Sequence, residues 1–70
     1  MAANLNAVVR LAMAKKDHPE LNEALAQANL TLAAAILDMD TAPRPALAEQ
    51  AAVEQAMQAY TQALADLLRA

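Results

Sequence analysis

The segment His18–Asp40, HPELNEALAQANLTLAAAILDMD, decides how this chain folds. A helix turns about 100° per residue, so spacing along it becomes direction around it. Leu21, Leu25, Ala28, Leu32, Ala35 and Met39 recur at alternating four- and three-residue steps. That rhythm makes a seam for another helix, and Ile36 is expected to widen it. Leu30 and Leu37 point to the opposite side, which they share with Ala26, Ala33 and Ala34. A helix covered along one stripe is polar on the other. This one calls for cover from two directions, or offers a stripe to a partner.

The ends of the segment are marked. Asp17 as N-cap with Glu20 three residues on fits a capping box, and Pro19 falls in the first turn, where its missing N–H costs nothing. Glu20 and Glu23 suit the positive end of the helix dipole. At the other end, Thr41-Ala42-Pro43-Arg44-Pro45 stops the helix, because residues before proline avoid helical backbone. Asp38 and Asp40 sit at the negative end, where an acid is unfavourable. They serve solubility or mark an acidic spot.

A second long helix is expected from Pro45 to about Arg69. Ala46, Gln50, Val53, Met57, Tyr60, Leu64 and Leu67 repeat the four-three spacing and should zip against the first seam. Gln50 would be a polar interruption that fixes register. Ala52, Ala56, Ala59 and Ala63 flank this seam, while Glu54, Gln55, Gln58, Gln62, Asp66 and Arg69 form a face for water. The short join between the two implies antiparallel neighbours. Upstream, Asn4 or Asn6 can cap a shorter helix over residues 4–16, closed by Lys15 and Lys16. Its packing face reads as Leu5, Val8, Val9 and Ala12. The expected fold is therefore all-α: a helical hairpin (about 18–40 and 45–69) with a short N-terminal helix (about 4–16), one domain over residues 1–70, dimerising into a helical bundle.

Composition narrows the function. Seventy residues are enough for one small core, and such a core alone rarely supplies more than about 3–5 kcal/mol. There is no Cys to add a disulfide, which favours a cytoplasmic setting, and a lone His does not make a zinc site. Self-association is the remaining way to reinforce such a fold, and a homodimer is expected. The net charge of -3 carries no basic stripe for nucleic acid. No apolar run approaches the roughly 20 residues of a membrane span. The heavy use of Ala suits a GC-rich bacterium or its phage.

Catalytic chemistry lacks its parts. Ser, Cys and Gly are absent, which removes the common nucleophiles and the glycine-rich phosphate loop. The pairs Glu20 with Glu23 and Asp38 with Asp40 lack the His of a bundle metal site. The chain is thus not expected to be an enzyme, and no cofactor, metal site or catalytic residue is assigned. The expected function is a protein-binding regulator of the anti-activator or antagonist type that inhibits or sequesters a partner protein. The protein-binding set is Leu30, Leu37, Ala26 and Ala33, with Arg44 presented by the stiff turn and Tyr60, the lone aromatic, as an anchor. The alternative is an assembly subunit or secretion co-chaperone whose task is to oligomerise.

Overall fold

The computed structural model describes the backbone from Ala2 to Ala70, and side chains from Asn6 onward. The described residues form three helices: α1 (Ala2–Asp17), α2 (Pro19–Thr41) and α3 (Leu47–Arg69). Helices α2 and α3 form the hairpin, and α1 touches both. The shape is long and flat, 42 × 29 × 15 Å, with a radius of gyration of 14.7 Å. A compact domain of this length has a radius nearer 11 Å.

The seam of α2 is the one its spacing predicts. Leu25 is buried, and Leu21, Ala28, Leu32, Ala35 and Met39 are half-buried. Ile36 does not widen it: that side chain is 44% exposed.

The seam of α3 is turned by about one residue in its first half. Glu49 and Ala56 occupy the inward positions expected of Gln50 and Met57, which are exposed. The inward row is Ala46, Glu49, Val53, Ala56, Tyr60, Ala63 and Leu67, still in three-four steps. The cause is size. Both inward rows carry alanines, Ala28 and Ala35 on α2 and Ala56 and Ala63 on α3, and small side chains at a contact favour close helix axes. Met57 in that place would hold the helices apart. Gln50 therefore fixes no register. The predicted water-facing row Glu54, Gln55, Gln58, Gln62, Asp66 and Arg69 is exposed throughout. Along it, Gln62 donates to Asp66 at 2.8 Å and Arg69 pairs with Asp66 at 2.9 Å.

The turn holds Ala42 in extended backbone (φ -73°, ψ 148°), as a residue before proline should be. Thr41 Oγ1 donates to the carbonyls of Leu37 and Asp38, the second being one of the last four carbonyls that the helix leaves without an intrahelical partner. The Arg44–Pro45 bond is cis. Helix α3 begins at Leu47 rather than Pro45, with Ala46 as a buried N-cap whose carbonyl accepts from the Gln50 N–H.

The N-terminal part departs further from expectation. Helix α1 runs on through Asp17, and His18 N–H still bonds to the Ala14 carbonyl. Asp17 is therefore no N-cap, and the capping box is not formed. His18 takes that position without a side-chain cap, its own carbonyl accepting from Leu21 and Asn22. Asn6 lies inside α1 rather than at its start. Asn4 and Leu5 are outside the residues whose side chains are described. The packing face is also different: Leu11, Ala14 and His18 turn inward, while Val8, Val9 and Ala12 are exposed. The single joining residue sets which way α1 faces, and Arg10 Nη2 holds it there by reaching the Leu68 carbonyl at 3.4 Å.

A candidate protein-interaction surface

The outer face of α2 is built by the same geometry that makes its seam. Residues about half a turn away from Leu25 and Leu32 must point out of the hairpin. Ala26, Leu30, Ala33 and Leu37 follow one another there at four-three-four steps, and all four are exposed. Leu30 is 64% exposed and Leu37 63%. Neither α1 nor α3 covers them. Ala34 widens the stripe on one side.

Polar groups border the stripe. On one flank are Asn22, Asn29 and Asp40, on the other Glu23, Gln27 and Asp38. Gln27 donates to the Glu23 carboxylate at 3.2 Å along the latter flank. An apolar strip framed this way has the layout of an interface, with an apolar middle and a polar rim.

Arg44 is exposed in the turn just beyond the end of α2, at the same end of the molecule as Leu37. Tyr60 lies elsewhere. It is half-buried in the α2–α3 seam and helps line a small concavity of about 230 Å³ with Lys15, Asn22, Leu25, Ala26 and Asn29. Ala26 is the residue that connects the Tyr60 concavity to the outer stripe. The structure thus gathers Ala26, Leu30, Ala33 and Leu37 into one surface. Arg44 stands at its end and Tyr60 behind its other end.

Sequence reasoning missed a second set of exposed apolar side chains. Val8, Val9 and Met13 are 64%, 49% and 60% exposed on α1, and Leu47 and Met57 are 68% and 51% exposed on α3. For α1 the signal was the missing loop between its end and Pro19, which restricts its rotation. For Met57 the signal was the alanine just before it.

The long, flat shape leaves much surface open. A folded monomer of 7.4 kDa is expected to expose about 4,200 Å². This chain exposes 5222 Å², a surplus of about 1,000 Å². Among the described residues four side chains are buried: Leu25, Ala46, Ala56 and Leu67. Two of these are alanines, which bring little apolar area to a core.

The groups that could carry chemistry have local engagements. His18 Nδ1 lies 3.7 Å from Glu20 Oε1. Thr31 Oγ1 donates to the Gln27 carbonyl at 3.0 Å, as Thr41 does within its own helix. Among the described residues no three His, Cys, Asp or Glu side chains gather as a metal site. No helix among them is long and apolar enough to cross a membrane. No family model matches the chain, and no curated protein or solved structure shows significant similarity to it.

Proposed function

We propose that this chain is a non-enzymatic protein-binding module, a small cytoplasmic regulator of bacterial or phage origin. It lays the outer face of α2 against a partner protein and thereby inhibits or sequesters it. The observation that carries the reading is the exposure of Leu30 and Leu37 on one line with Ala26 and Ala33. A helix with such a row is suited to an apolar groove or to another helix, read through anchors at four-three spacing. The negative net charge favours protein over nucleic acid as the ligand.

The test is affinity capture from the native host with the wild-type chain and with the double variant Leu30→Glu/Leu37→Glu. A protein retained by the first and lost by the second is the expected result. Equal retention would refute the assignment of this face.

A second reading, an assembly subunit or secretion co-chaperone, draws on the surplus surface. A chain whose task is to oligomerise would leave apolar side chains open on several helices, as Val8, Leu30, Leu47 and Met57 are here. Light scattering with size exclusion separates the two: a large, closed assembly of the purified chain favours the second.

A further inference from the structure

We infer that the outer face of α2 receives helix α1 of a second copy of this chain. The inference rests on the reading of the α2 face as a docking surface and names its occupant. Charge and the placement of two open apolar faces carry it.

Helix α2 has Glu20, Glu23, Asp38 and Asp40 and no basic residue, and α3 sets Glu49, Glu54 and Asp66 against Arg69. Helix α1 has the opposite balance, with Arg10, Lys15 and Lys16 against Asp17. It is the one net cationic helix of the three. Two α2 faces would repel each other, whereas an α1 face and an α2 face attract.

Helix α1 also has an apolar row to offer. Val9, Met13 and Lys16 follow one another at four-three steps on the side away from Leu11 and Ala14, and all three are exposed. Ala12 is exposed beside them, and Arg10 and Lys15 lie on the two flanks. The outer stripe of α2 is uncharged through its middle, with Glu23 near one end and Asp38 and Asp40 near the other. Lys16 at the end of the α1 row therefore finds a carboxylate whichever way α1 runs. At 1.5 Å per residue, α1 spans about 24 Å and fits within the roughly 34 Å of α2.

These two faces cannot meet within one chain. His18 alone joins the helices, and folding one helix back along the next takes about 2–5 connecting residues. Helix α1 is also held by its other side, through Leu11, Ala14 and the reach of Arg10 to the Leu68 carbonyl. The contact is thus made between copies, and it is heterologous, because the giving face and the receiving face differ.

That asymmetry supplies the test. Val9→Glu/Met13→Glu spoils the giving face, and Leu30→Glu/Leu37→Glu spoils the receiving face. All four positions are exposed, so circular dichroism should find both variants as helical as the wild type. In sedimentation the wild type should run above 7.4 kDa and grow heavier with concentration, while each variant alone stays at 7.4 kDa. An equimolar mixture of the two variants keeps one sound face of each kind. It should give twice 7.4 kDa and nothing larger. Lys15→Gln/Lys16→Gln should weaken association of the otherwise unmodified chain, more at low salt than near 1 M, where screening reaches about 3 Å.

A mixture that stays at 7.4 kDa overturns the inference, as does a wild type that stays there at every concentration. Association of the Val9→Glu/Met13→Glu variant by itself would mean that α2 pairs with α2, and would overturn it too. So would a Lys15→Gln/Lys16→Gln chain that associates as the wild type does at both salts. Should either double glutamate variant lose helicity, the lysine comparison decides. These failures are distinct from failure of the docking reading. A monomer that still captures a host protein through Leu30 and Leu37 ends this inference alone. A complementing mixture, together with a Leu30→Glu/Leu37→Glu variant that captures as well as wild type, ends the host-partner reading alone.

Discussion

Leu25 and Leu30 stand five residues apart on α2 and look in nearly opposite directions. Leu25 is 8% exposed against α3, and Leu30 is 64% exposed on the outer face. One helix therefore divides its leucines between holding the fold together and offering a surface. The two tasks can be separated by substitution.

Truncating the inward set should cost stability. Leu67→Ala, at a fully buried site, and Leu25→Ala should each lose about 2–5 kcal/mol in urea unfolding. Leu30→Ala, measured at a dilution where the chain is single, should stay within about 0.5 kcal/mol of wild type. Comparable losses for Leu25 and Leu30 would contradict the division.

The phase of α3 makes a sharper test. Ala56 is 6% exposed and Met57 51%. Ala56→Leu should overpack the hairpin and destabilise by about 1–3 kcal/mol. Met57→Gln and Gln50→Leu should move the unfolding midpoint little, within about 0.5 kcal/mol. A large loss for Met57→Gln with a tolerated Ala56→Leu would restore the phase suggested by the spacing alone.

Association should also show in the melting behaviour. A partner that binds only the folded chain raises its melting temperature by mass action. The wild type should therefore melt higher as its concentration rises, and Leu30→Glu should melt at one temperature throughout. Concentration-independent melting of both would argue against self-association.

Helix α1 offers a paired comparison. Leu11→Glu should release it from the hairpin and speed amide exchange across residues 6–16, whereas Val8→Glu should leave exchange there unchanged. The reverse pattern would reinstate the Val8–Val9 face as the packing face.

How much of this was legible in the sequence depends on the helix. In α2 the four-three rhythm identified the inward row from Leu21 to Met39, because leucines mark the seam, but it missed the half-buried Asn22 and wrongly added Ile36. In α3 the same rhythm fitted two adjacent rows. Spacing favoured the bulkier one through Met57, while the structure uses the smaller one through Ala56, since spacing is blind to how closely two axes can approach. In α1 the more apolar face lost to the one that the His18–Pro19 junction turns inward. A pattern read within one helix does not see the chain that tethers it. The outer stripe of α2 was visible for a simple reason: a helix with apolar rows on both sides cannot hide both in a flat three-helix molecule.

Among the described residues the core holds no buried polar or charged side chain. In the inward row of α3 the polar side chains are Glu49 and Tyr60, both half-buried, so the buried apolar residues do little by themselves to mark where one helix should stop against the other. The ruler is the turn. Thr41 latched onto its own helix and two prolines within the following four residues fix the length of the bend, so the alignment of the whole hairpin is gauged from one end. Lengthening that bend would leave both helices intact and free the pair to sample offset alignments.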